Sequence, residues 1–331
     1  MLRGRVILEN PWVARALVAS FALALVGCGA SHGAGSGALR ETTVEDIADE
    51  LERMSGPFVA GHPETFRGIL ADAIAKDAYV CLPRPREVFF GEVAEGERAI
   101  VGQMPHYGLF FGPMSYRVGR SGGRWRVRLL VAVVPPDPRE MLELPDCAMS
   151  GEVDEATACA EDRERETTLE VCPPRARGLA RATPRTVDAL LGRYSREVAA
   201  YWSRDALAEG LPIDYDFEFR RAETADPSRV DMVLPLVTTC GRTPYFSSLR
   251  SGWSLPIVAH EMGHVLGLLD EYETFSGMFY PKTPFPGAEV SRMGLSMREA
   301  TRVLPVHHYL VLRRWFCPSP GETTPFRDAV R

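Results

Sequence analysis

Apolar residues near the start of the chain recur at three- and four-residue spacing: Val44, Ile47, Ala48 and Leu51 within 41–54, then Phe66, Ile69, Leu70, Ala73 and Ile74 within 63–79. Each set lines one face of a predicted helix. Strand-like runs follow at 87–90 and 107–118, broken by Gly and Pro. Residues 125–134 form the clearest strand, halted by Pro135-Pro136. From 137 to about 183 the chain is acidic, contains Pro, and carries Cys147, Cys159 and Cys172. It lacks the spaced Asp and Gly ligands of a calcium loop, so 135–183 reads as a solvated excursion pinned by disulfides. Thr183-Pro184 then offers an N-cap followed by Pro, opening a helix through Val187, Leu190, Leu191, Tyr194, Val198 and Tyr201. Residues 213–219 alternate apolar and polar, a half-buried strand. A second strand at 231–237 contains Pro235, which points to an edge or a bulge, and a further helix opens near Ser254-Leu255-Pro256. The order predicts an α+β fold. It comprises a small N-terminal α+β region at 40–120 and a larger domain at 121–331. The N-terminal region reads as a pro-segment, a partner-binding module or part of one larger fold.

Composition adds a compartment. The 331 residues are 45% hydrophobic and 25% charged, which excludes a disordered or fibrous chain. Net charge is −6 and no basic run stands out, so nucleic acid is excluded as an expected partner. Arg3, Arg5 and Arg15 precede an apolar run at 16–26 that is short for a membrane span, the layout of an export signal. Leu25-Val26-Gly27-Cys28 resembles a bacterial lipobox. In such signals residues 1–27 are cleaved and Cys28 carries lipid; the alternative is an ordinary secretory signal with Cys28 near the cut. The Gly- and Ser-rich residues 28–39 make a flexible tether. Removing 1–27 takes away three Arg and one Glu, moving the net charge from −6 to −8. An acidic surface does not adhere to anionic lipid by charge, so the lipid alone would hold the protein at the periplasmic or outer face of the envelope. Six further cysteines, Cys81, Cys147, Cys159, Cys172, Cys240 and Cys317, form an even set without a C-x-x-C pair. In an exported chain they read as up to three disulfides with 15 possible connectivities.

The chemistry concentrates in His260-Glu261-Met262-Gly263-His264. On a helix, positions i and i+4 share a face, so both imidazoles can reach one metal ion, and imidazole suits Zn²⁺. Glu261 lies about 100° around the helix from His260, placed to take a proton from water without ligating. Val265 to Asp270 extends the stretch to H-E-x-x-H-x-x-G-x-x-D. Gly267 can leave helical geometry cheaply, so the chain turns back and presents residue 270. Asp270 and Glu271 are both candidate third ligands, and the spacing favours Asp270. A Glu far downstream on another helix is a further alternative. His307-His308, beside Tyr309 to Leu312, reads as capping or packing a C-terminal helix rather than binding metal.

This stretch resembles the metzincin clan of zinc endopeptidases, whose motif is H-E-x-x-H-x-x-G-x-x-H followed by a Met-turn. Asp270 stands at the place of the third His, as in the small bacterial snapalysin-type proteases. The resemblance spans 124–317, but its specific part is 260–270. It implies a twisted mixed sheet with an active-site helix, one Zn²⁺ held by His260, His264 and Asp270, and Glu261 as general base and acid. The Met-turn would be Ser291-Arg292-Met293-Gly294, with Met297 competing for the role. Cys81 faintly resembles the zinc-blocking cysteine of some proenzymes, though an even cysteine count favours a disulfide. The expected activity is therefore lipid-anchored, zinc-dependent hydrolysis of protein or peptide substrates. The alternatives are a non-enzymatic surface lipoprotein with a structural or vestigial zinc site, and an amidase acting on cell-wall peptides.

Overall fold

The strand expected at 125–134 is the spine of the sheet. In the computed structural model, which describes residues 42–55, 67, 70–71, 81–101, 115–145, 158–161, 176–241, 247–268, 270–271, 291–294 and 301–317, β3 (Arg124–Val134) pairs in parallel with β7 (Ile213–Arg221) over nine residue pairs. Its other edge is shared. β2 (Ser115–Ser121) pairs antiparallel with residues 124–128, and β8 (Met232–Val237) pairs in parallel with 131–134. β1 (Gly96–Val101) flanks β2, and β9 (Leu249–Arg250) pairs with the end of β8. The sheet is mixed, which is compatible with the α+β reading. Pro235 is the last residue of β8 paired with β3, and pairing with β9 begins at Leu236. The proline, which has no N–H to donate, thus sits at the handover between partners.

One face of β3 is apolar by alternation: Trp125, Val127, Leu129, Val131 and Val133 are all buried. Three helices cover the core. α3 (Pro184–Ala208) starts as expected, with the Thr183 hydroxyl accepting the Thr186 N–H at 3.2 Å, and it runs beyond Tyr201. It packs along β7, where the Ser195 and Ser203 hydroxyls accept the N–H groups of Phe219 and Tyr215, both at 2.9 Å. These serines satisfy edge-strand donors that β3 does not reach. α4 (Leu255–Val265) lies on α3, and α5 (Pro305–Phe316) reaches β1 and brings His308 against Tyr215 of β7 and Trp202 of α3.

The N-terminal region is part of this unit. Glu41–Arg331 is one compact body, and the expected boundary at 120/121 falls inside the β2–β3 hairpin. α1 (Val44–Ser55) and α2 (Pro85–Phe90) both pack on α5. Residues 87–90, expected as strand-like, are helical. Pro85 opens a turn in which Val88 and Phe89 are both buried, where a half-buried strand would alternate. The Cys81–Cys317 disulfide ties this segment to the end of α5, which removes Cys81 as a zinc-blocking cysteine. Tyr309 Oη donates to the Pro83 carbonyl at 2.9 Å, and Trp125 meets Trp315 edge-on at 5.3 Å.

Among its described residues, the stretch 135–183 contains three strands. β4 (Met141–Glu143), β5 (Ala158–Glu161) and β6 (Ala176–Arg181) form an antiparallel sheet in the order β4-β6-β5. Cys159 lies on β5, and Cys240, beside this sheet through a Glu143–Cys240 hydrogen bond of 2.8 Å, is disulfide-bonded. Cys28, Cys147, Cys172, Met297, most of the helix expected at 63–79 and the start of the 107–118 strand lie outside the described residues. Among the described residues no helix is long and apolar enough to cross a membrane.

Candidate metal centre

α4 is held before it offers any ligand. Tyr194 Oη donates to the Trp253 carbonyl at 3.0 Å, just ahead of the helix, and Trp202 Nε1 donates to Ala259 O at 3.1 Å. The helix ends in a Schellman motif: Leu268 N–H bonds to Gly263 O and Gly267 N–H to His264 O, both at 2.9 Å. Gly267 has φ +86°, as the expected turn-back requires, and a Cβ there would stand 2.9 Å from the Arg314 guanidinium. The backbone angle demands glycine.

This turn delivers Asp270 to the two imidazoles. Asp270 Oδ1 lies 3.0 Å from His260 Nε2 and 3.2 Å from His264 Nε2, and all three residues are buried. His260 Nδ1 is 2.8 Å from Arg292 O, and His264 Nδ1 is 3.0 Å from Leu268 O. A carbonyl only accepts, so both Nδ1 atoms carry hydrogen, and each neutral ring turns an Nε2 lone pair inward. Asp270 Oδ1 is buried without a satisfied hydrogen bond. Three electron-rich atoms thus converge in a buried place, an arrangement a cation resolves. Ligands of a tetrahedral ion at about 2.0–2.1 Å stand about 3.3 Å apart, close to the observed separations. His260, His264 and Asp270 therefore make a buried group that could hold a metal ion, their ligand atoms within 4.8 Å of one another.

Without a cation, the charges redistribute. Burial resists protonation of His264, but Asp270, helped by Glu261 and the Leu268 carbonyl, holds the imidazole up at about 9. Burial likewise opposes ionisation of Asp270, and the two imidazoles override it, keeping the carboxyl well below the usual carboxylate range. Glu261 is half-buried beside this otherwise buried group.

The competing candidates fall elsewhere. Glu271 turns away from the group and meets His307 Nε2 at 2.6 Å. His307 also caps α5, its Nδ1 accepting the Leu304 N–H at 3.0 Å. His308 bonds Tyr215 Oη through Nδ1 at 2.6 Å, and burial, with His307 nearby, depresses its pKa to about 3. Both histidines therefore cap or pack α5, as their apolar neighbours implied. Met293 is fully buried beneath α4, and a Cβ on Gly263 would lie 2.3 Å from its sulfur. Its turn, closed by Gly294 N–H to Ser291 O at 3.1 Å, supplies the Arg292 carbonyl to His260 and the Met293 carbonyl to the Glu271 N–H. Sequence reasoning missed these backbone acceptors, which leave no trace in residue type. It also passed over Gly263, although a glycine inside a helix costs about 1 kcal/mol and so marks a close approach. No protein-family model, curated protein or solved structure matches this chain.

Proposed function

We propose that the protein is a zinc-dependent endopeptidase, lipid-anchored at the bacterial cell envelope. The carrying observation is the convergence of His260 Nε2, His264 Nε2 and Asp270 Oδ1, with Asp270 Oδ1 left buried and unsatisfied. Two imidazoles and one carboxylate suit Zn²⁺, and a fourth side-chain ligand is absent among the described residues. Structural zinc sites close with four protein ligands, whereas catalytic ones keep a position for water. When bound, zinc supplies Lewis acidity, lowering the pKa of water and polarising a carbonyl.

The chain's own groups do the rest. Glu261, next to His260 but less buried, accepts the proton of the attacking water and hands it to the departing amide nitrogen. The Arg292 and Leu268 carbonyls keep the rings in the Nδ1–H tautomer. Met293, packed against Gly263, supports the helix from below in the manner of a Met-turn. The Cys81–Cys317 disulfide accords with an oxidising compartment, and the lipobox at 25–28 with attachment through Cys28. Incubation with casein tests the activity: the parent degrades it, a chelator stops degradation, and Glu261→Ala binds zinc but is inactive. Chelator-resistant degradation refutes the zinc mechanism, and no degradation by the zinc-loaded parent refutes the peptidase reading and favours the non-enzymatic lipoprotein.

A further inference from the structure

We propose that His307 on α5, acting through Glu271, is a positioning residue that fixes the Asp270 carboxylate against the two imidazoles. The inference rests on the metal reading of the site but does not require peptidase activity.

Asp270 Oδ1 is not held by a satisfied hydrogen bond of its own. What fixes the carboxylate is the neighbouring residue. The Glu271 N–H donates to Met293 O at 2.9 Å, and its side chain reaches His307 on the other side. The direction of that second bond is determined. Leu304 N–H donates to His307 Nδ1, so the ring hydrogen of neutral His307 is on Nε2 and is given to Glu271 Oε1. Both partners are almost fully buried, at 1% and 3% exposure, so water does not compete for the contact. A hydrogen bond to a buried carboxylate is short and strong, and 2.6 Å fits one. Glu271 directly follows Asp270, so anchoring it on Met293 and on α5 holds the backbone from which Asp270 reaches α4. Groups that orient metal ligands are worth about 10- to 100-fold in metal affinity.

His307 has a second task, capping α5, and two substitutions separate them. His307→Asn keeps an acceptor near Nδ1 for Leu304 but falls short of Glu271. His307→Gln keeps a donor near Nε2. In the purified full chain, chelator competition measures Zn²⁺ affinity and the visible spectrum of the Co²⁺-loaded protein reports ligand geometry. His307→Asn is expected to weaken Zn²⁺ binding about 10- to 100-fold and to alter the Co²⁺ spectrum, while His307→Gln stays within a few-fold of the parent. Glu271→Ala reads the contact from the other side, and the double variant His307→Asn/Glu271→Ala should be no worse than either single one. Parental affinity and spectrum in His307→Asn, equal losses in the Asn and Gln variants, or additive losses in the double variant would each overturn the proposal. A parent that takes up neither metal overturns instead the metal reading on which it rests.

Discussion

Two aspartates are buried to similar depth, Asp270 beside α4 at 7% exposure and Asp231 in the seam of the sheet at 9%, yet their surroundings differ. Asp231 fills the gap where β3 changes partner from β2 to β8. Its Oδ2 accepts the Leu130 N–H at 2.8 Å, its own N–H returns to Leu130 O at 3.0 Å, and Arg117 stands 3.3 Å from Oδ1. Burial still pushes its carboxyl up, against the pull of Leu130 and Arg117. Asp270 instead faces the Nε2 atoms of two imidazoles whose Nδ1 atoms meet backbone carbonyls. Backbone and guanidinium groups hold the first carboxylate, whereas the second is met by two imidazoles that could share a metal ion with it. That contrast separates burial for architecture from burial for chemistry.

Substitutions should split the two aspartates cleanly. The largest effect belongs to neither: Glu261→Ala should lower casein hydrolysis about 100- to 10,000-fold with zinc content unchanged, read by turnover and metal analysis together. Next, Asp270→Ala should weaken zinc binding roughly 100-fold or more, while above pH 9, where His264 has lost its proton, its metal-free thermal transition moves less than that of Asp231→Ala. Asp231→Ala should take up zinc normally but lose about 1–3 kcal/mol of stability in urea unfolding, because the buried Leu130 N–H loses its acceptor. Equal stability losses in both variants would erase the distinction.

Protonation sharpens it further. In the metal-free protein the His264 pKa is raised to about 9, so its stabilising contribution is complete below the ordinary value of 6.5 and disappears as pH rises through 9. The metal-free melting temperature should therefore fall across that window. Zinc must displace this proton, so its apparent affinity should drop by up to about tenfold per unit as pH falls below 9. An effect no larger than that of Asp231→Ala is expected of Gly263→Ala, about 1–3 kcal/mol, since the flexible end of Met293 can shift to admit the methyl group. Met293→Ala should relieve most of that loss in the double variant.

How much of this was legible in the sequence follows from what periodicity and residue type encode. The spine strand, the long helix after Thr183 and the turn at Gly267 are local, and each carried its own punctuation in Pro, Thr or Gly. The grouping of His260, His264 and Asp270 was equally visible, because i, i+4 spacing on one helix is a local fact and the glycine turn brings in residue 270. The rest depends on distant partners. The pairing of β2 with β3 across 120/121 joins what composition separates. Residues 87–90 are apolar enough for a strand, and only their packing on α5 selects the helix. Glu271 could not be set aside from spacing alone, since its partner His307 lies 36 residues away.

X-ray absorption at the zinc edge of the metal-loaded protein tests the core of this account most directly. It should show one zinc per chain with four light-atom ligands at about 2.0–2.1 Å, and imidazole scattering from two rings. Sulfur ligands at about 2.3 Å, or imidazole scattering lost in Cys240→Ser but kept in His264→Ala, would contradict it.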